Sequence, residues 1–144
     1  MTDLPSSMDY PTRDSTGNID ATLSMLNTMV SILDSRVGIV LAIPGGMLSG
    51  QLVRKATWYK EWFELIEHGG EGAESFATTL KHLFSASGRL GPDSEFIDHS
   101  GDYLHVIDGA LTAGNQTSSK MPWRVRLDQV AAWSLGSDPR KMGA

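Results

Sequence analysis

The chain has 144 residues, 40% of them hydrophobic, with no cysteine and a formal net charge of −5. This length suits one domain that buries a core without metal or disulfide staples. The absence of cysteine excludes thiol catalysis, cysteine zinc sites and disulfides, which fits a cytoplasmic protein.

Residues Met1 to Gly17 are rich in Ser, Thr, Asp and Pro and have no apolar period, so they are read as a flexible N-terminal arm. This polar start also lacks the basic and apolar pattern of a signal peptide. From Asn18 the pattern changes: Ile19, Leu23, Leu26, Val30 and Leu33 recur at steps of three and four, predicting a helix of about four turns with Asn18 or Asp20 as its N-cap. Met25 and Met29 widen this stripe and are read as core, with a flexible partner-binding face as the alternative.

Arg36 to Arg54 predicts a hairpin, because two β-prone runs flank Pro44-Gly45-Gly46. A strand rather than a helix follows these glycines, so a phosphate-binding loop is not expected. Gly50 within the second strand points to a bend or a close backbone approach. The run Val37–Ile43 is the longest apolar stretch, far short of the roughly 20 residues a membrane-spanning helix needs. No membrane partner is expected.

Thr57 to His68 predicts a helix with Trp58, Trp62, Leu65 and Ile66 on one side and carboxylates on the other, stopped by Gly69-Gly70. A second helix from Ala73 to Ala86 presents Phe76, Leu80, Leu83 and Phe84. Gly88 to Asp102 reads as a loop pinned by Phe96 and Ile97. Tyr103 to Leu111 is a strand, Thr112 to Lys120 a polar turn, and Trp123 to Leu127 a second strand with alternating apolar and cationic residues. That alternation places Trp123, Val125 and Leu127 on one sheet face and Arg124 and Arg126 on the other. A tight turn and a short strand, Val130 to Leu135, end the single α+β domain expected over residues 18–136; residues 137–144 form a C-terminal tail.

Catalytic chemistry finds little support in these residues. Asp98, His99, Asp102 and His105 form the best titratable cluster, but solvated or capping roles account for it, and no metal or cofactor is expected. No serine sits in a nucleophile elbow, and Ser49 is read as an ordinary strand residue. Glu61, Glu64, Glu67, Glu71 and Glu74 follow helical spacing on an exposed face rather than forming a buried catalytic pair. The expected protein is not an enzyme.

Charge is unevenly spread. Thr57 to Asp108 holds ten acidic residues against Lys60, Lys81 and Arg89, whereas Lys120 to Ala144 holds five basic residues against Asp128 and Asp138. The acidic middle and basic end of two copies could attract one another, or the clusters are simply solvated surface. Arg124 and Arg126 beside Trp123 could hold phosphate and stack a base, but the negative net charge opposes nucleic-acid affinity, and Trp123 reads as core. Trp123, Arg124, Arg126, Val130 and Trp133 are the candidate partner-binding or oligomer residues, with Val130 to Leu135 short and apolar enough to pair with another copy at a strand edge.

Two resemblances follow from these segments. Val40-x-Ala42-x-x-Gly45-x-x-x-x-Gly50-x-Leu52 and the segment Val125 to Trp133 resemble the two conserved blocks of Sm-like barrels. Leu127 stands where that family has glycine, the RNA-holding Asp and Asn after the bent strand are missing, and two helices interrupt the barrel. RNA recognition is therefore not carried over as the leading expectation, and an Sm-like RNA-binding module is kept as the alternative. The whole stretch from Asn18 to Gly136 resembles the gas vesicle accessory proteins of the U type (GvpU-like). The matching residues are Ser49-Gly50-Gln51-Leu52 after the Gly-Gly hairpin, the Trp58–Phe63 helix, the strand Tyr103–Ala110, and the ending Trp-Arg-x-Arg-Leu-x-x-Val-x-x-x-Ser-Leu-Gly at Trp123 to Gly136. The resemblance implies a non-enzymatic accessory or scaffold protein of gas vesicles or their clusters, with shell or accessory proteins as partners. The expected fold is an N-terminal helix and a small, strongly bent Sm/SH3-like barrel or sheet with a helical insertion. The expected assembly is a homo-oligomer.

Overall fold

A computed structural model of the chain describes residues 19–86 and 103–136. The expected arm, the loop Gly88 to Asp102 with Phe96 and Ile97, and the C-terminal tail lie outside these residues. The described elements are α1 (Ala21–Leu33), β1 (Val37–Ile43), β2 (Gly46–Val53), α2 (Lys55–Glu67), α3 (Ala73–Ala86), β3 (Tyr103–Ala113), β4 (Gln116–Thr117), β5 (Met121–Arg126), a 3-10 turn (Leu127–Gln129) and β6 (Ala132–Leu135). This is the expected α+β arrangement, with the helical pair inserted between the second and third strands.

All strands join one antiparallel sheet in the order β4-β3-β2-β1-β6, with β5 on the same side of β3 as β4. The order β6-β1-β2-β3-β5, with a 3-10 turn between β5 and β6, is compatible with an Sm/SH3-like layout. Among the described residues no hydrogen-bonded ladder joins β5 to β6, so by pairing the sheet is open.

The first hairpin turns on Pro44-Gly45, with Ile43 opposite Gly46. Proline fixes the first turn residue, and Gly45 adopts φ +98°, a value that a side chain resists. Gly50 serves the bend. A Cβ there would lie 2.6 Å from Val106 Cγ1, 2.8 Å from the Ile107 oxygen and 2.9 Å from Gly109 Cα, so only glycine lets β2 and β3 approach. Opposite it, β3 carries one extra residue between its pairs with β2, Ile107↔Gln51 and Ala110↔Ser49. Asp108 sits in this bulge with φ +52°. The bulge shifts the alternation, so Leu104 and Val106 before it share a face with Gly109 and Leu111 after it.

That face and its continuation in β1, β2 and β5 form the main core. Leu23 and Val30 of α1 pack on Ile39, Leu41, Leu48, Leu52, Leu104, Val106, Val125 and Leu127. Each such side chain removed from water contributes roughly 1.5–3 kcal/mol before entropy is counted. The opposite face carries a second core of Val53, Trp58, Tyr59, Phe63, Ala77 and Ile107 beneath α2 and α3.

Three helix faces are rotated from the sequence-based expectation. In α1, Asn27 is buried and its amide donates to the Tyr103 oxygen at 3.0 Å, whereas Met25, Met29 and Leu33 face solvent. A satisfied amide thus fills the place the methionines were expected to help fill. In α2, Tyr59 and Phe63 are buried while Leu65 is exposed, because the helix packs edge-on against the Phe84 ring of α3. In α3, Ala77 is buried and Phe76 and Leu83 are exposed. The expected turn from Thr112 to Lys120 contains the end of β3 and the two residues of β4, joined by a Thr112–Thr117 hydroxyl contact at 3.0 Å.

Candidate interaction surface at the sheet edges

The five candidate residues divide into three that pack on their own chain and two that face solvent. Trp123 is half-buried against the main core. Its indole Nε1 donates to the Gly109 oxygen at 2.8 Å, and a Cβ on Gly109 would fall 2.5 Å from Trp123 Cδ1. The ring therefore seals the bulge in β3, as its place in the alternation with Val125 and Leu127 implied. Val130 is half-buried on the same core, and its N–H donates to the Leu127 oxygen.

Trp133 also packs on the main core, opposite Leu41 in the β1–β6 ladder. Its Nε1 donates to Asp20 Oδ2 at 3.0 Å. The other oxygen of the same carboxylate caps α1, accepting from the Thr22 and Leu23 N–H groups at 2.9 and 3.1 Å. Of the two N-cap candidates read from sequence, Asn18 and Asp20, it is Asp20 that caps α1, and it is also the tie between the first helix and the last strand. The Trp133 hydrogen bond foremost, and then the Leu23 amide, hold its carboxyl below the usual carboxylate range.

Arg124 and Arg126 project from the opposite face of β5, as the alternation predicts. The Arg124 guanidinium lies 3.8 Å from the centre of the Tyr103 ring, and its Nε donates to His105 Nε2 at 3.3 Å. Arg126 Nη2 donates to Asp128 Oδ2 at 2.7 Å. Both cations therefore make contacts within their own chain. The acidic middle does so too: Glu61 lies 3.8 Å from Arg36 and Glu67 3.5 Å from Lys81. Such exposed pairs stabilise little.

His105 is the one member of the expected Asp98, His99, Asp102, His105 cluster among the described residues. It is only 3% exposed and lies against the Trp58 and Tyr59 rings. Burial foremost, then the Arg124 and Lys55 charges, lower its pKa to about 3. The imidazole is therefore neutral, with Nε2 the acceptor that Arg124 requires. Among the described residues no three His, Asp or Glu side chains are grouped so as to hold a metal ion. No helix among them is long and apolar enough to cross a membrane.

The strand edges are the other notable feature. In the β1–β6 ladder the Gly136 N–H donates to the Gly38 oxygen at 2.8 Å, so by the antiparallel alternation Gly136, Ser134 and Ala132 turn their main-chain groups toward β1. Those of Trp133 and Leu135 turn outward, and the Leu135 side chain is exposed. No described strand pairs with this outer edge of β6, nor with the outer edge of β5.

Sequence reasoning missed the Asp20–Trp133 bond, Asn27 and the neutral His105, all of which join residues distant in sequence. In a comparison with known families, the one described as "Gas vesicle protein GvpU-like" matches residues 20–138. No curated protein and no solved structure gives a significant match.

Proposed function

We propose that this chain, which belongs to the GvpU-like gas vesicle protein family, is a non-enzymatic, self-associating accessory or scaffold protein at the gas vesicle surface or in vesicle clusters. The family match over residues 20–138 carries the vesicle part of this reading. The open outer edges of β5 and β6 support self-association, because unpaired strand edges invite a further strand. The Trp133 and Leu135 main chain is the contact, while the Trp133 indole remains on its own core. Arg124 and Arg126 line the adjoining face and orient a second copy through its carboxylates.

Deleting the gene in its host and imaging the vesicles tests the reading. Altered vesicle number or clustering, restored by the wild-type gene, is the expected result. Unchanged vesicles would count against an accessory role. Complementation with Leu135→Pro, which removes an outward N–H and an exposed side chain but no hydrogen bond to β1, separates the strand edge from the rest of the protein.

A further inference from the structure

We propose that the outer face of α1 is a second self-association surface, on which α1 of another copy of this chain packs antiparallel. The surface goes beyond the strand-edge reading and uses none of its residues. The inner face of α1 is fixed by Leu23 and Val30 on the core and by the Asn27 bond to Tyr103. The outer face carries Met25, Met29, Ile32 and Leu33, which are 64%, 48%, 74% and 64% exposed. These positions fall at helical spacing and form one stripe. A solvent-facing helix ordinarily places charges there, yet Ala21 to Leu33 contains no charged residue. The apolar surface so exposed is on the order of 400 Å², within the range at which patches on single chains mark interaction sites.

The charge pattern selects the occupant. In a two-fold contact a patch meets its own image, so any carboxylate in it meets a like charge. This chain has a net charge of −5. Of the other exposed large apolar side chains among the described residues, Leu65, Phe76 and Leu83 stand on helices that also expose Glu64 and Glu74, and Met47, Met121 and Leu135 stand on strands. The α1 stripe, on a helix with no charged residue, meets its image without such repulsion. Antiparallel packing also sets each helix N-terminus against the partner's C-terminus, the favourable alignment of their dipoles. Met29 then lies near the two-fold axis and Met25 faces Ile32 and Leu33 of the partner. The flexible methionines suit a contact that forms and releases, and the area is below the roughly 800 Å² per partner of a stable complex. The pairing is therefore weak and concentration-dependent.

The test uses the full chain, whose lack of cysteine allows single-cysteine variants to be read cleanly. Sedimentation velocity over a range of concentrations compares wild type, the triple variant Met25→Glu, Met29→Glu, Ile32→Glu, and the strand-edge variant Leu135→Pro. The triple variant is expected to weaken association roughly tenfold or more, while the pairing by α1 persists in Leu135→Pro. Under mild oxidation Met29→Cys is expected to form a disulfide-linked dimer faster than Leu83→Cys, a control that is more exposed still. Association unchanged in the triple variant, or no faster cross-linking through Met29→Cys, would overturn the proposal. If association is lost only in Leu135→Pro, the strand edge stands and the α1 surface falls. A wild type that is monomeric at every concentration defeats both.

Discussion

His105 gives the account a sharp dependence on pH. Its pKa is near 3 in the folded chain, against 6.5 for an ordinary histidine. An unfolded chain therefore takes up a proton on acidification before the folded chain does. The contribution to stability is fully present above pH 6.5 and is lost progressively as pH falls from there toward 3. At about 1.4 kcal/mol per pH unit the total is about 4–5 kcal/mol, of which about 2 kcal/mol is gone by pH 5. For a chain of this size a loss of about 2 kcal/mol lowers the melting temperature by roughly 4–10 °C. His105→Phe keeps a ring against Trp58 and Tyr59 and cannot titrate, and the exposed Arg124 then turns to water. Thermal melts followed by circular dichroism at pH 7.5 and pH 5 are expected to show a smaller acid-induced drop in this variant, by about that amount. Equal drops in the two proteins would refute the reasoning, as would a His105 imidazole resonance titrating near pH 6.5.

Gly50→Ala is expected to destabilise by about 1–3 kcal/mol in urea melts, because two of the three atoms its Cβ meets belong to the β3 backbone; a neutral result would show that β3 can withdraw at no cost. Asp20→Ala is expected to cost about 1–2 kcal/mol as a lost cap, and a double-mutant cycle with Trp133→Phe should give a coupling of about 0.5–1.5 kcal/mol. Strict additivity would mean that the 3.0 Å bond between Asp20 and Trp133 does not contribute. Electrophoretic mobility with short RNA at two salt concentrations is expected to show no complex; tight, salt-sensitive binding lost in Arg124→Ala and Arg126→Ala would instead favour the Sm-like reading.

Much of the fold was legible in local pattern. Pro44-Gly45 marked the turn, Gly50 the bend, and the alternation from Trp123 to Leu127 assigned each side chain to the correct face. Helix rotation was less legible. Met25 and Leu65 are as apolar as their buried neighbours, and only the positions of Asn27 under Tyr103 and of Tyr59 beside Phe84 decide which side turns inward. The partners of the candidate residues were hidden for a related reason. Asp20 and Trp133 are 113 positions apart, and nothing in either segment indicates the other until β6 is laid beside β1. His105 was singled out as part of a titratable cluster, but its burial by Trp58 and Tyr59, which sets its behaviour, depends on α2 folding across β3.

Association with gas vesicles is the central claim, and buoyancy gives its most direct test. Gas vesicles from a strain lacking this gene are mixed with the purified full chain and floated by gentle centrifugation, with the protein then quantified in the floating layer and in the liquid beneath. The account predicts saturable recovery of the chain with the floating vesicles. A chain that remains entirely in the liquid beneath, at every concentration and in the presence of the vesicles' own accessory proteins, would contradict it.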